Sequence, residues 1–521
     1  MKVLIRILLI AFLWLIVVNS GELGTLDTDL RLQMAHAWWT GTEEVQITPD
    51  MEPKVRGDIR FGVIGVDGDR YIGYETGQSF LMLPADWLGS QLHQLLSAVP
   101  EDTLRRWSVN LFNFIPINLA VVMATFWMLK LFHFEERIAG LASLTLLLGT
   151  TVLHYTQVHQ HNNQLLLLTI LGYATAIAYV QSKRSAWLLF GGAALGMAVF
   201  IRVTSMIHVL TVVLFLVGIV AYKNRQMTAV VQSFGFWIMG FFPVFLLSRY
   251  VDFLRYGSFF SSGKSVEKLQ LATDPIWEGL PQLPEGYPLI NSPHIGILGP
   301  LFSPAKSIFL YDPLLLPCLI LSILCWQRLS PWIRWYLVTC TLNLGLHLAA
   351  YSRFVFWHGD SAWGARYHVT SVHLLLIPLL AIFIQQLLAA SKAQRLLLKG
   401  ILIVALITQL ASVAMPMNIE IFQKQVGMPG TRLDLRLPRR FANIACYIRP
   451  DLSKLCIDRN PNKKEYLEHL NHLTFFPFIF SHKKSESGKT SVIQILLFLI
   501  WGLALIAAIL VSLNTWLLSG I

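Results

Sequence analysis

The chain has 521 residues, of which 55% are hydrophobic and only 14% charged, and this excludes an ordinary soluble globular protein, in which about 25% are charged. A formal net charge of +11 is typical of many nucleic-acid-binding proteins, but here the Lys and Arg residues are dispersed at the ends of apolar segments. The composition therefore predicts an integral membrane protein whose cations set its topology and contact phosphate groups, and it indicates no nucleic-acid partner.

Twelve apolar segments have the length that an α-helix needs to cross roughly 30 Å of hydrocarbon. The first runs from Val3 to Val18, with Lys2 and Arg6 at its start, and its alternative is a signal peptide cleaved near Ser20. The other eleven lie at 109–131, 138–153, 164–181, 186–201, 204–221, 229–248, 308–326, 333–350, 367–388, 398–415 and 491–517. The sequence therefore predicts an all-α polytopic membrane protein with about 12 transmembrane helices.

The distribution of Lys and Arg between the predicted turns indicates the orientation. Thirteen lie on the side of the N-terminus, whereas the opposite short turns hold three, Arg202, Arg353 and Arg366. The loop at 249–307 raises the second number only to eight. Because cytoplasmic turns carry the excess of cations, we expect both termini in the cytoplasm of a multi-pass protein in a bacterial inner (plasma) membrane. A long first loop, 20–107, then faces the opposite compartment.

Two carboxylates, Asp27 and Asp29, lie just outside the first apolar segment. A carboxylate that is partly desolvated and close to cations at a membrane boundary can be tuned for proton transfer, so these residues are candidates for a catalytic base. The alternative is that Asp27 only caps a helix, whose apolar stripe would consist of Leu30, Met34 and Trp38.

A second segment of the first loop with a distinct pattern runs from Tyr71 to Pro84 and includes Gln78. Its apolar part is too short to cross a bilayer and is followed by a proline, so we expect a helix that ends at Pro84 and either lies in the membrane interface or dips back into it. Four tryptophans of the first loop are expected to anchor it at headgroup depth. They are Trp38, Trp39, Trp87 and Trp107.

The turn after the third apolar segment holds His154, His159 and His161 but no Lys or Arg. Polar groups at this density need hydrogen-bond partners, which are either local groups or the hydroxyls of a sugar substrate. A further interpretation is a divalent-metal site formed by His159 and His161 with Asp27 and Asp29.

The long loop at 249–307 contains Arg255 and Lys306 and has no clear periodicity, which is typical of a functional lid. A later turn contains Trp363 and Arg366. The guanidinium of Arg366 would lie where the outer leaflet meets water, and its planar fork matches the oxygens of a lipid phosphate. The alternative is that Arg366 extends to the interface or pairs with Asp360.

These motifs, in this order and on this side of the membrane, resemble polytopic GT-C glycosyltransferases, the relatives of protein O-mannosyltransferases and of the transferases that place aminoarabinose on lipid A. The segments that carry the resemblance are Leu26–Asp29, Gly77–Pro84, Gly191–Gly196, Tyr256–Ser258, Leu301–Pro304 and Trp363–Tyr367. Many such enzymes have Asp followed directly by Glu in the first loop, whereas here Thr28 separates Asp27 from Asp29, so either residue can correspond to the base. The four-residue spacing from Asp27 to Arg31 resembles the bacterial members and favours Asp27, with Asp29 as a helper or metal contact.

The resemblance implies an inverting transfer of a sugar from a polyprenyl-phosphate-linked donor to a glycan, lipid or protein acceptor on the extracytoplasmic face. Asp27 or Asp29 would be the base. Four cations would bind the donor phosphate, namely Arg366, Lys306, Arg255 and Arg353. Further substrate contacts would come from Arg31, His154, His159, His161, Gln78 and Trp363. No cofactor is implied with certainty, and a divalent metal is left open.

The resemblance covers most of residues 1–415, which we predict to form the catalytic transmembrane domain. We expect an extracytoplasmic segment at 416–490 and a final transmembrane helix within 491–521. In that segment Cys446 and Cys456 are candidates for a disulfide, and three arginines, Arg436, Arg439 and Arg440, either help to recognise an acceptor or belong to a structural cap.

Two other functions remain as alternatives, a transporter or flippase of lipid-linked intermediates and a polysaccharide polymerase or ligase. Transporters place ionisable residues at the bilayer midplane and contain repeated halves, whereas the charges of this chain lie at segment ends and no internal repeat is evident. A polymerase or ligase usually has its long outward loop late in the chain, whereas here a long loop follows the first helix.

Overall fold

The computed structural model describes residues 2–417, 419–420, 436–449, 473–485 and 492–518. Across these ranges the chain is mostly helical, and the strands that are described form a two-stranded antiparallel sheet. The all-α class predicted from the sequence is therefore confirmed.

The chain divides into two compact units. The first comprises Met1–Gly24, Ile115–Asn163 and Asn291–Ile521, and the second comprises Thr25–Phe114 and Gln164–Ile290.

The first unit contains most of the helices. They are α1 (Lys2–Val18), α5 (Ile115–Leu131), α6 (Glu136–Gly149), α7 (His154–Gln157), α13 (Pro293–Phe302), α14 (Ile308–Tyr311), α15 (Leu315–Cys325), α16 (Pro331–Tyr351), α17 (Val369–Ala389), α18 (Lys392–Ala414), α19 (Arg436–Ile448), α20 (Phe476–Ser485) and α21 (Val492–Leu518), with a 3-10 helix at Trp326–Arg328.

The second unit contains the remaining helices and the sheet. The helices are α2 (Leu26–Thr40), α3 (Gly77–Leu95), α4 (Glu101–Val109), most of α8 (Asn162–Ser182), α9 (Ala186–Ile201), α10 (Met206–Asn224), α11 (Met227–Tyr256) and α12 (Gly263–Gln270), with a π-helical turn at Asn110–Phe114 and 3-10 helices at Ile59–Phe61, Val203–Ser205 and Pro275–Trp277. Strand β1 (Val63–Ile64) pairs with β2 (Arg70–Tyr71) in the register Val63 to Tyr71 and Ile64 to Arg70.

Each of the twelve apolar segments predicted from the sequence contains a helix, but in the described ranges only seven helices are long and apolar enough to cross a membrane. They are Glu101–Leu131, Asn162–Ser182, Val203–Asn224, Met227–Tyr256, Val369–Ala389, Lys392–Ala414 and Gln494–Thr515. Five predicted segments are not among these seven. The segment at 333–350 forms α16, which has 21 residues. The segments at 3–18, 138–153, 186–201 and 308–326 form helices with at most 17, 14, 16 and 11 residues. These are shorter than the roughly 20 residues that a perpendicular crossing requires.

Helix α17 is buried on all sides and forms the core of the first unit. Its side chains are buried almost continuously from Val369 to Ile384, as expected for a helix that is apolar around its whole circumference. It packs against α5, α6, α15, α16 and α18. Helix α21 is the opposite case, because its apolar residues are largely exposed, with Leu503 at 68%. Such a surface is compatible with hydrocarbon and not with water.

In the second unit, α9 packs closely along α11 through small residues. A side chain at Gly192 would collide with the carbonyl oxygen of Trp237, and a side chain at Gly240 would collide with that of Leu189. Gly196 is four residues after Gly192 and also faces α11. Small residues four apart allow two membrane helices to approach each other closely. The glycine-rich motif at 191–196 is therefore explained by helix packing.

Two details of the loops differ from the prediction. Helix α3 does not end at Pro84 but continues to Leu95, because its buried face, which includes Gln78, Met82 and Asp86, outweighs the loss of one backbone hydrogen bond. In addition, residues 249–256 of the predicted second loop belong to α11, and the rest of that segment includes α12 and α13.

Candidate functional site

The N-terminus of α2 presents the two candidate catalytic carboxylates. Thr25 is the N-cap, with extended backbone angles (φ −146°, ψ 148°) and a side-chain oxygen that accepts from the Thr28 backbone N–H at 3.4 Å. The alternative in which Asp27 caps this helix is therefore wrong, because a threonine two residues earlier does so. Asp27 and Asp29 lie in the first turn, where the helix dipole stabilises negative charge.

Asp27 is half-buried, and a tyrosine from the segment Tyr71–Pro84 orients its carboxylate. The Tyr74 hydroxyl donates to Asp27 Oδ1 at 2.9 Å. The Arg31 guanidinium carbon lies 4.2 Å from the Tyr74 ring centroid, and Arg31 Nη1 donates to the Asp27 carbonyl oxygen at 3.2 Å. The structure thus brings together the predicted base and the predicted substrate contact Arg31, and it adds Tyr74, which the sequence interpretation missed.

Asp29 has a different environment, although it is only two residues away. Its Oδ1 lies 3.4 Å from Arg106 Nη2 on α4, and Arg106 Nε also lies 3.0 Å from Asp102. Asp29 therefore takes part in a partly exposed ion-pair group that links the first turn of α2 to α4.

Helix α2 is fixed by Asp86, a fully buried carboxylate on α3. Asp86 accepts from Arg105 Nε on α4 at 2.6 Å and from the Trp39 indole N–H at 2.8 Å, and it lies 3.1 Å from His36 Nδ1. A buried carboxylate is stable only when its lone pairs are satisfied, as they are here. Trp39, predicted to be a membrane anchor, thus has a defined hydrogen bond inside the protein.

A second buried carboxylate, Glu44, connects the end of α2 to α11. It accepts from the Trp38 indole at 2.9 Å, from the Ile72 backbone N–H at 2.9 Å and from Arg255 Nη2 at 2.6 Å. Arg255 also donates to the Ile72 carbonyl oxygen at 2.9 Å and faces the ring of Tyr71. Arg255 is therefore one partner of a structural ion pair with Glu44. Its predicted contact with a donor phosphate would require this ion pair to break. Gln78, the other predicted substrate contact in this unit, is fully buried on α3.

In the first unit, the histidine-containing turn is buried rather than facing outward. His154, His159 and His161 are 1%, 1% and 8% exposed. Gln157 explains how such a polar turn is accommodated, because its Nε2 lies 2.8 to 3.0 Å from three backbone carbonyl oxygens, those of Val18, Val413 and Thr474. The turn therefore ties distant segments of the chain together.

Burial also controls the charge of these histidines. Desolvation lowers the pKa of His154 to about 3, and the nearby cations Arg440 and Arg436 act in the same direction. Desolvation alone lowers the pKa of His159 to about 3. Both imidazoles are therefore neutral at physiological pH.

Trp363, a predicted substrate contact, is completely buried in the same unit. Its ring stacks with His154 at a centroid separation of 6.1 Å and meets Tyr311 edge-on at 4.9 Å. The guanidinium carbons of Arg440 and Arg436 lie 5.2 and 5.6 Å from its ring centroid. The structure brings the predicted substrate contacts His154 and Trp363 together, and it surrounds Trp363 with protein groups.

The turn that carries Trp363 is fixed by cations from two distant segments. Lys306 Nζ donates to the carbonyl oxygens of Asp360 and Ala362 at 2.7 and 2.6 Å, and Arg436 Nη1 donates to those of Ser361 and Ala362 at 3.1 and 2.8 Å. Desolvation, reinforced by the charges of Arg436 and Arg366, holds the pKa of Lys306 well below its usual range. The predicted phosphate ligand Lys306 is thus used to hold the backbone of this turn.

The C-terminal segment contributes a buried ion cluster around Glu420. Arg440 Nε and Arg436 Nη2 donate to the Glu420 carboxylate at 2.6 and 3.0 Å. Burial opposes ionisation, but the two guanidinium groups prevail and lower the pKa of Glu420. For Arg436 and Arg440, these contacts match the structural-cap alternative. Cys446 is disulfide-bonded, and its predicted partner Cys456 lies outside the described residues.

Arg366 and Arg353 complete the predicted phosphate ligands. Arg366 is half-buried, its Nη2 donates to the Tyr367 hydroxyl at 2.8 Å, and its guanidinium carbon lies 4.9 Å from that ring. Asn162 holds the Arg366 backbone by donating to its carbonyl oxygen at 2.8 Å. Arg353 has an exposed side chain, and its carbonyl oxygen accepts from the Asn291 N–H at 2.9 Å.

The described residues include no group of three or more His, Cys, Asp or Glu side chains arranged to hold a metal ion. The four residues of the metal interpretation, Asp27, Asp29, His159 and His161, are all among these described residues.

The chain is similar to known proteins at the level of solved structures. No family model matches the sequence, and no curated protein matches it. Among solved structures, the archaeal oligosaccharyltransferase AglB from Archaeoglobus fulgidus, in complex with an inhibitory peptide and a dolichol-phosphate, matches with a TM-score of 0.39 and 12% sequence identity. The match covers 87% of this chain, which spans only 55% of that structure's length. A similarity at this level assigns neither a substrate nor a residue role.

Proposed function

We propose that this protein transfers a sugar from a polyprenyl-phosphate-linked donor to a hydroxyl or amine of a glycan, lipid or protein acceptor, with inversion at the anomeric carbon. The observation that carries the proposal is the Asp27 carboxylate. It is half-buried in the first turn of α2, a few residues after the first apolar helix, and the Tyr74 hydroxyl orients it.

Asp27 has the features of a general base. It needs access to an incoming hydroxyl and a fixed direction for its lone pairs, and partial burial together with the hydrogen bond from Tyr74 supports both. Asp29 is the weaker candidate because its carboxylate lies beside Arg106. We therefore assign the base to Asp27 and leave Asp29 a helper role.

In the proposed step, Asp27 takes the proton from the acceptor O–H or N–H while the acceptor atom bonds to the anomeric carbon. The bond from that carbon to the phosphate oxygen breaks, and its electron pair stays on the departing polyprenyl phosphate. This leaving group needs charge stabilisation but no proton. Arg366 and Arg353 are the preferred phosphate ligands, because Lys306 and Arg255 are engaged with carbonyl oxygens and Glu44.

The proposal includes an orientation. The distribution of Lys and Arg favours cytoplasmic termini in a bacterial inner membrane, which would put Asp27 on the opposite face. Nucleotide sugars are cytoplasmic, so an enzyme acting on that face requires a donor whose lipid carrier brings the sugar across.

Asp27→Asn and its matched control Asp29→Asn test the proposal. Purified protein in lipid nanodiscs would receive a panel of polyprenyl-phosphate hexoses, aminosugars and pentoses together with cell-envelope glycolipid and protein extract, and release of polyprenyl phosphate would be measured. Loss of a positioned base should reduce turnover by about 10²- to 10⁴-fold in Asp27→Asn, whereas Asp29→Asn should stay within about tenfold of wild type.

Wild-type turnover by Asp27→Asn would remove this residue from the mechanism. A wild-type protein that moves the donors between leaflets of a vesicle, yet releases no polyprenyl phosphate from any of them, would instead establish the transporter alternative.

A further inference from the structure

The first unit contains an apolar cleft of about 180 Å³ that the proposed reaction does not use. Its walls come from five helices, α1, α6, α17, α18 and α21. Representative lining residues are Trp14, Leu144, Thr145, Leu406, Leu410 and Ser512. A cavity of about 150 Å³ with aliphatic walls is large enough to stay dry and bind a small hydrocarbon, so this cleft has room for part of a lipid chain.

The few polar groups at the cleft are already engaged with the protein. The Trp14 indole N–H donates to Ser512 Oγ at 3.1 Å. The hydroxyls of Thr145 and Thr515 each donate at 2.8 Å to a carbonyl oxygen of their own helix, that of Leu141 and that of Val511. A water molecule needs two to four polar partners to be held in a buried site, and these walls offer mostly methyl and methylene groups.

The cleft lies among helices of membrane-spanning length and reaches lipid-facing surface. Helices α17, α18 and α21 contain three of the seven candidate spans. Leu410, in the wall, is 41% exposed, and Ile403 and Ile407 on the outward side of α18 are 50% and 48% exposed. Surfaces of this composition face hydrocarbon when the protein is in a membrane. In a membrane, the exposed side of the cleft would therefore lie beside lipid chains.

No Lys, Arg, Asp or Glu is among the residues that line the cleft. A ligand would therefore be selected through its chain and not through a charged headgroup. Phospholipids supply most of the aliphatic chains in a bilayer, so mass action favours them over a scarce polyprenyl lipid.

We propose that this cleft binds an acyl chain of a membrane phospholipid and that the bound chain packs α21 against the rest of the first unit. Transfer from bilayer to cleft moves a chain between two apolar environments, so the gain comes from van der Waals packing and not from the hydrophobic effect. Helix α21 gains most, because it is otherwise packed mainly on α1 and α20 and only 6% of its candidate span is buried.

Blocking the cleft tests the proposal. Leu406→Trp places an indole in the cleft, and Ile407→Trp, its matched control, places the same group on the outward side of α18. Each protein would be purified in detergent, stripped of loosely held lipid and analysed by native mass spectrometry and lipid extraction. Wild type and Ile407→Trp should retain about one phospholipid per chain, and Leu406→Trp should retain at least about fivefold less.

Equal phospholipid retention by the two tryptophan variants would overturn the proposal, as would a wild-type protein that retains only a polyprenyl lipid or no lipid. If Leu406→Trp does not fold, Thr145→Phe fills the cleft from α6 and should show the same loss. A measurement on the unblocked protein is independent of both variants. Phospholipids with brominated acyl chains should quench a larger fraction of the tryptophan fluorescence in wild type than in Trp14→Phe, because Trp14 lines the cleft. Equal fractions quenched in the two proteins would also reject the proposal.

Discussion

Two regions of this protein carry groups to which the sequence assigns a role in catalysis or substrate binding. In one region such a group stays accessible, and in the other such groups are bound within the protein. At the start of α2, Asp27 remains half-buried, with the Tyr74 hydroxyl as its described side-chain partner. Around Trp363, by contrast, Lys306, Arg436 and Arg440 are all buried and donate to backbone carbonyl oxygens or to Glu420.

The difference shows that a cluster of cations is not in itself a phosphate-binding site. A buried guanidinium or ammonium must be satisfied within the protein, and once satisfied it fixes the fold and has little left for a ligand. The region around Trp363 should therefore respond to mutation mainly by losing stability, and the region around Asp27 mainly by losing turnover. The following predictions test this contrast, from the largest expected effect to the smallest.

Glu420→Gln should cause the largest loss of stability. The substitution leaves Arg436 and Arg440 buried without their carboxylate, and breaking a buried ion pair by removing one partner costs about 3–5 kcal/mol. Asp58→Asn is the control, because it breaks a more exposed pair with Arg60 and should cost at most about 1 kcal/mol. Thermal unfolding in detergent and limited proteolysis would compare the two. Similar stability of the two variants would contradict a structural role for the Glu420 cluster.

Arg366→Gln should lower turnover without lowering thermal stability. If its guanidinium stabilises the departing phosphate, loss of one such contact reduces kcat by about 10²- to 10³-fold. Arg436→Gln is the informative partner, since it removes an arginine of the Trp363 region and should lower the unfolding temperature first. The contrast between a half-buried and a buried cation fails if Arg366→Gln unfolds easily while Arg436→Gln keeps its stability and loses donor binding.

Tyr74→Phe should reduce turnover to a smaller extent. It removes the hydrogen bond that orients the Asp27 carboxylate, and a hydrogen bond to a charged group contributes about 1.5–3 kcal/mol, which corresponds to roughly ten- to a hundredfold in rate. Tyr71→Phe is the control, because the Tyr71 hydroxyl donates to Asp67 instead. Equal activities of the two variants would mean that Tyr74 does not orient the base. Sugar release at saturating donor concentration is the measurement.

Local features of the fold were predictable from sequence. The apolar segments are continuous, so their helices follow from composition alone, and the spacing of Leu30 and Met34 correctly indicated a buried stripe on α2. It was harder to predict which of two neighbouring residues caps a helix. Thr25 and Asp27 are both good N-cap residues, and only the backbone conformation shows that Thr25 has that position.

Long-range polar pairs could not be predicted. Asp86 is 19 residues from Arg105 and 47 from Trp39, and Glu44 is 211 residues from Arg255. A single sequence gives no signal that these groups meet, since any carboxylate and any cation are chemically compatible. For this reason the family resemblance implies ligand contacts for Arg255 and Lys306, whereas in the structure both are bound to groups of the protein itself.

The smallest expected effect is a pH dependence of stability that arises from His154. Burial, reinforced by Arg440 and Arg436, lowers its folded-state pKa from 6.5 to about 3. Between these values the unfolded chain binds a proton that the folded protein excludes, so stability falls as the pH falls from 7 to 5, by about 1–2 kcal/mol from this group. Glu420 contributes little in this window, because its pKa is lowered from 4.5 and it stays ionised.

His154→Phe keeps a ring against Trp363 and removes the titration, so its unfolding temperature should change less between pH 7 and pH 5 than that of wild type. His294→Phe replaces an exposed histidine and should retain the wild-type dependence. Identical pH dependence in His154→Phe and wild type would mean that His154 accepts a proton while folded. The region around Trp363 would then tolerate an additional positive charge beside Arg436 and Arg440, which is incompatible with a cluster whose cations already exceed its carboxylates.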